Sequence, residues 1–168
     1  PSRPRAQSPK ALTLKIEELM TRNVRTCSPD DTLEQAVRIM WEFDVGSVVV
    51  TDAESTPIGM ITDRDVAIAA YTQGVALRDA RVQSAMATQV VSCSTSSALD
   101  EVEEKMRTAQ VRRVPVVDLA GKLVGVVAIA DIARRVQTGT FGLTGVPGLA
   151  KTLIGITAAR GREAAAAE

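Results

Sequence analysis

With 168 residues and 45% apolar side chains the chain can bury one substantial core or two small ones, but aromatics at 2% make any such core aliphatic. Lys+Arg and Asp+Glu stand at 20 each, so net charge is zero and nothing suggests a broad nucleic-acid or anionic-membrane surface. There is no histidine, which removes His-based acid/base work, Ser-His-Asp and Cys-His pairs and nearly every common zinc geometry, and two cysteines cannot build a disulfide framework.

Residues 1–13, rich in Pro, Ser and basic side chains, read as a disordered tail. A short extended piece, Val24 to Cys27, leads to Asp31 and Glu34, which fit an N-cap followed by an acid three residues on. Leu33, Ala36, Val37 and Met40 then follow at helical spacing and form an apolar stripe. Two β-branched runs, Ser47 to Thr51 and Pro57 to Ile61, flank the loop Asp52 to Thr56 and predict a pair of strands. A helix is expected from Asp63 to Tyr71.

The chain then repeats itself at an offset of 66 residues, without a gap. Met20 falls on Met86, Cys27 on Cys93, Leu33 on Leu99 and Met40 on Met106. Val48 and Val50 fall on Val114 and Val116, Asp52 on Asp118, Gly59 on Gly125 and Asp65 on Asp131. Matches this regular at apolar and turn positions mark a duplicated supersecondary unit, and two units face each other across a pseudo-two-fold axis more readily than they stack into an array. The second copy predicts an extended piece at Val90 to Cys93 and a cap at Ser97 with Asp100. A helix with Leu99, Val102 and Met106, strands Val114 to Val117 and Leu123 to Val127, and a helix from Ile129 to Val136 complete it. Past Val136 a Gly-rich stretch precedes Leu149, Leu153 and Ile156, spaced as on a short amphipathic helix that docks on the module or on a partner.

Strand, helix, strand, strand, helix, given twice, with the Asp52 and Asp118 turns, the run VRRVPVVD at Val111 to Asp118 and two G-x-x-x-x-x-D segments ending at Asp65 and Asp131, resembles a pair of CBS domains, the module named for cystathionine β-synthase. The resemblance covers roughly Leu14 to Val136 and implies an α+β fold, β-α-β-β-α twice about a pseudo-two-fold axis. The expected divisions are a tail at 1–13, repeats at 14–74 and 75–138, and a Gly-rich segment with a short helix at 139–168. It also implies a non-catalytic regulatory module taking AMP, ADP, ATP or S-adenosylmethionine between its repeats, with no covalent cofactor and no metal. A ligand-free scaffold for dimerisation or protein docking is the alternative.

The site residues implied by the resemblance start with Asp65, whose carboxylate accepts from both ribose hydroxyls, and Thr62, three residues earlier, which meets ribose or phosphate. Asp63 and Arg64 lie between them where a helix starts, and free amides, the positive dipole end and a guanidinium fork there all suit a phosphate. Val90, Val91 and Ser92 of the other repeat receive the adenine, with Arg112 and Arg113 beside the phosphates. Thr62-x-x-Asp65 is also a capping box, so the pair is expected to serve helix and ligand together. A weaker second site has Asp131 with Val24 and Thr26, because Ala128 and Ala130 stand where Thr62 and Arg64 stood. Cys27 and Cys93 read as small apolar strand residues, and Trp41 as core or dimer seam. No secretory leader or long apolar span is apparent, so the expectation is a cytoplasmic homodimer with an adenosine-type ligand, an unknown protein target, and no nucleic acid or membrane partner.

Overall fold

The computed structural model describes residues 15–137 and 145–157; the expected N-terminal tail and the Gly-rich and Ala-rich stretches around the last helix lie outside them. The elements run β1 (Thr21–Arg22), β2 (Thr26–Cys27), α1 (Leu33–Glu42), β3 (Ser47–Thr51), β4 (Pro57–Thr62) and α2 (Asp63–Gln73). They continue as β5 (Cys93–Ser94), α3 (Leu99–Ala109), β6 (Arg113–Val117), β7 (Leu123–Ala128), α4 (Ile129–Gln137) and α5 (Gly145–Thr157). Short 3₁₀ turns at Ile16–Glu18 and Val82–Ser84 precede β1 and the run to β5.

Two sheets result, β2-β3-β4 and β1-β7-β6-β5, each a hairpin with a parallel strand along one edge. The hairpins have the same register: Val50 faces Gly59 and Val116 faces Gly125. Their β-branched runs bury the same positions, Val48 and Val50 in one and Val114 and Val116 in the other. Around them lie two aliphatic cores. One is built on Leu33, Ala36, Met40, Val50, Ile61 and Val66, the other on Val102, Met106, Val114, Val116, Val127 and Ile132.

The leading segments are exchanged. Ile16, Leu19 and Met20 pack into the core of the second repeat, while Ala80 and Val82, with Leu77 and Met86, pack into the first. Backbone hydrogen bonds repeat the exchange at the same offset. The Ile16 amide donates to the Ser97 carbonyl (3.1 Å) as the Val82 amide does to that of Asp31 (2.8 Å). β1 runs antiparallel to β7, and Ala87 bridges Met60 in the equivalent place. This crossing explains the paired glycines. A methyl at Gly59 would lie 2.8 Å from Met86 Sδ, and one at Gly125 2.8 Å from both Met20 Sδ and the Thr21 carbonyl. The sequence repeats and the packed cores therefore have different edges.

The helix starts differ from expectation by one residue. The N-cap of α1 is Thr32, in a box with Gln35, because the Asp31 carboxylate is taken by the Ser28 amide (2.7 Å). The N-cap of α3 is Ala98, with no side-chain bond, and Ser97 Oγ instead accepts from the Ser94 amide. The paired aspartates Asp52 and Asp118 close the hairpin loops, each accepting two loop amides through Oδ1.

The helix expected around Leu149, Leu153 and Ile156 forms as α5 and lies along α3. Ile156 and Thr152 are buried there, and Gly148 and Gly155 let the two helices approach over Glu103 and Arg107. At the 66-residue offset Arg107 corresponds to Trp41, so α5 covers on α3 the counterpart of a face that stays open on α1, where Trp41 is 86% exposed.

Candidate functional site

Strand β4 ends at Thr62 and α2 begins at once, so the first turn of the helix stands at the sheet's edge, its amides taken by the Gly46 carbonyl, Asp63 Oδ1 and Thr62 Oγ1. Thr62 and Asp65 form the expected capping box. The Asp65 amide donates to Thr62 Oγ1 (3.2 Å), and Asp65 Oδ2 accepts from the Thr62 amide (2.9 Å) and hydroxyl (2.7 Å). All three bonds leave Asp65 Oδ1 outside the box.

Asp63 binds its amide to the Gly46 carbonyl and accepts the Arg64 amide at Oδ1 (2.7 Å), and the side chains of Asp63 and Arg64 are exposed. Arg113, the first residue of β6, reaches this point from the other repeat. A methyl built on Gly46 would sit 3.3 Å from Asp63 Oδ2 and 3.9 Å from Arg113 Nη2. The neighbouring Arg112 is exposed, and its carbonyl is used to accept the first amide of α4 (2.9 Å).

The wall from the second repeat begins at Ala87, which exchanges two bonds with Met60 (3.0 and 2.8 Å). From there residues 88–92 cross to the other sheet, which they enter at Cys93. Val90 and Val91 are half-buried and lie outside the strand ladders, while the Ser92 carbonyl is engaged by Lys105 Nζ (3.1 Å). The chain thus brings Thr62, Asp63, Asp65 and Arg113 to one edge, with the 88–92 crossing running from it.

The second copy differs. Asp131 Oδ2 accepts the Ala128 amide (2.8 Å), and its other oxygen is held by Arg134 one turn along α4. A cavity of about 260 Å³ opens here, lined by Glu18, Leu19, Asp131, Arg134 and Arg135. Arg135 Nη2 donates to the Glu18 carbonyl (2.8 Å), tying α4 to the exchanged segment. Val24 is half-buried and Thr26 pairs with Val49 in β2. Between them Arg25 stacks over the Phe43 ring at 4.8 Å. Arg134 and Arg135 were not among the expected residues, although Asp-x-x-Arg on a helix is a recognisable i,i+3 pair.

Cys27 and Cys93 lie in different cores. Burial, with the Asp31 charge nearby, pushes the Cys27 thiol up to about 12, and burial raises Cys93 to about 11, so both are neutral thiols without nucleophilic character. Among the described residues no group of three His, Cys, Asp or Glu side chains is placed to hold a metal.

Two β-α-β-β-α units, each presenting an aspartate at the start of its last helix, define a tandem module of duplicated units. The chain belongs to the CBS domain family, which matches residues 16–71 and 81–138. It is 36% identical over 120 residues to the CBS domain-containing protein YhcV of Bacillus subtilis, spanning 70% of this chain and 82% of that one. The solved CBS-domain containing protein ATU1752 of Agrobacterium tumefaciens is 33% identical, with a TM-score of 0.64 over 72% of this chain and 98% of its own. CBSX2, solved in complex with AMP, shares the fold at a TM-score of 0.65 and 22% identity, over 75% of this chain and 98% of its own. Among the described residues no helix is long and apolar enough to cross a membrane.

Proposed function

We propose that the chain is a regulatory module that binds one adenosine-type nucleotide in the cleft headed by Thr62 and Asp65. The observation that carries the reading is the arrangement of Asp65. Its carboxylate is held through Oδ2, which supports the reading that Oδ1 serves a ligand from an already ordered side chain. A ribose diol donating to that oxygen makes charge-assisted bonds. Phosphates then fall toward the first turn of α2, where the positive end of the helix dipole, Arg64 and, from the other repeat, Arg113 and Arg112 supply positive charge. Asp63 and Arg113 both approach Gly46, which brings the two side chains to the same point of the cleft. The purine rests on Val90 and Val91, whose peptide groups lie outside the ladders and read the base edge, with Ser92 closing the wall. CBSX2 was solved with AMP, and that likeness supplies the fold while this chain's own residues supply the argument for the ligand.

The second cleft, with Asp131, Val24 and Thr26, lacks the Thr62 hydroxyl and the Arg64 fork and binds the same class more weakly. The exposed Trp41 supports homodimerisation through α1, since α5 already covers the corresponding face of α3. A panel of AMP, ADP, ATP and S-adenosylmethionine, followed by thermal melting and calorimetry, tests the reading. A ligand at 100 times its dissociation constant stabilises by about 2.7 kcal/mol, and one tight site per chain is expected. A flat panel with an intact dimer establishes the scaffold alternative.

A further inference from the structure

The two clefts carry equivalent aspartates in different states. Asp65 uses one carboxylate oxygen for the start of α2, whereas both oxygens of Asp131 are engaged, Oδ2 by the Ala128 amide and Oδ1 by the Arg134 guanidinium. Arg134 makes this contact from outside. Its side chain is 69% exposed while that of Asp131 is 11% exposed, so the guanidinium lies over the carboxylate and forms part of the cavity rim. Its neighbour Arg135 is tied back to the Glu18 carbonyl, which fixes this turn of α4 against the exchanged segment. The corresponding residues of the first copy are Ile68 and Ala69, neither of which can donate a hydrogen bond.

We propose that Arg134 is an internal occupant of the second ribose seat and that it lowers the affinity of the second cleft for a nucleoside. The inference rests on the reading of the first cleft given above. A diol entering the second cleft must first displace a guanidinium from Asp131 Oδ1. An exposed ion pair is worth up to about 1 kcal/mol, so the occupant weakens the second cleft by up to about fivefold. That penalty adds to the hydroxyl and the guanidinium the second copy lacks at Ala128 and Ala130. The first cleft carries no such occupant, because Ile68 leaves Asp65 Oδ1 open.

Adenosine is the probe, because it presents the ribose without a phosphate that could contact either arginine. Binding is followed through the backbone amide resonances of Leu19 and Ala128, which report the second cleft, and of Thr62, which reports the first. Replacing Arg134 by the first copy's residue, Arg134→Ile, should tighten the second cleft by up to about fivefold and leave the first unchanged. Adding Asp131→Ala should abolish that gain. The reciprocal Ile68→Arg should weaken the first cleft by a similar factor. A parent that takes one adenosine, with an Arg134→Ile chain whose second cleft is unchanged or weaker, overturns the occupant role alone. A parent that takes no adenosine overturns the reading of the first cleft and the inference with it.

Discussion

Replacing Asp65 by alanine separates the two roles its carboxylate combines. The substitution removes both bonds to Oδ2, from the Thr62 amide at 2.9 Å and the hydroxyl at 2.7 Å, but leaves the Asp65 amide donating to Thr62 Oγ1. Half the capping box survives, so the structural loss is about 1 kcal/mol, or a fall of about 2–4 °C in melting temperature for a chain of this length. The ligand role is larger. Deleting charge-assisted bonds to a ribose removes about 1.5–3 kcal/mol of binding, roughly ten- to a hundredfold in affinity. Calorimetry with AMP reads the second quantity and melting without ligand the first. Thr62→Ala, which removes a hydroxyl assigned to both cap and ligand while the carboxylate remains, is a first control and should weaken AMP less than Asp65→Ala does. Asp131→Ala is the second control, and it should leave the nucleotide-induced rise in melting temperature intact. If Asp65→Ala melts lower yet shifts with AMP as the parent does, the carboxylate serves only as a cap and the site assignment fails.

A methyl at Gly155 would overlap Arg107 Cγ and lie 2.8 Å from its Cδ, so Gly155→Ala should lift α5 from α3 at about 1–3 kcal/mol; melting and limited proteolysis check it, and a parent-like profile refutes the packing argument. Glu103, 7% exposed, has its carboxyl raised by burial and then by Asp100, against the opposing charge of Arg107. The native state therefore holds this proton to higher pH than the unfolded chain, and stability is lost as pH rises from the ordinary value near 4.5 through the raised one. Glu103→Gln should melt higher than the parent at pH 7–8 and match it at pH 4; an equal difference at both would show that the carboxyl is not desolvated. Trp41→Glu should shift a dimeric parent toward monomer in light scattering at micromolar concentration, and a parent already monomeric there removes α1 as a seam.

Much of this fold was legible because the repeat doubled every signal. A valine run of five residues is ambiguous by itself, but Val48 and Val50 recurring as Val114 and Val116 before a second Asp turn is not. What failed was local. Asp31 and Ser97 each have the right chemistry for an N-cap, but turn amides three residues upstream, of Ser28 and Ser94, claim both side chains, and Thr32 with Gln35 forms the better box. The exchange of leading segments was not readable. Ile16, Leu19 and Met20 have the same spacing as Val82, Ala85 and Met86, so either segment fits either core by pattern, and only the direction of the chain after each 3₁₀ turn decides. At the site, the capping box was read directly, since it is a contact between near neighbours. The hold of Arg134 on Asp131 is just as local, yet a cation in the last turn of a helix is ordinary enough to pass as solvated charge.

The exchange has an energetic consequence for the cleft. Val82 is fully buried in the core of the first repeat, and the same strand of chain, a few residues on, becomes Val90 to Ser92 and then β5 of the second sheet. Fully buried Ile16 belongs in turn to the second core, although its own chain continues into β2 beside β3. Neither core closes without a segment from the other repeat, so neither repeat holds its half of the cleft independently. Removing a fully buried aliphatic side chain from such a core costs about 2–5 kcal/mol, a large share of the 5–15 kcal/mol that holds a typical domain together. The relative position of Thr62, Asp65 and Arg113 is therefore set by the same contacts that keep each core intact. A ligand spanning Asp65 on one side and Val90 on the other would add contacts across this joint. Nucleotide occupancy of the proposed site would then be coupled to the stability of the whole module.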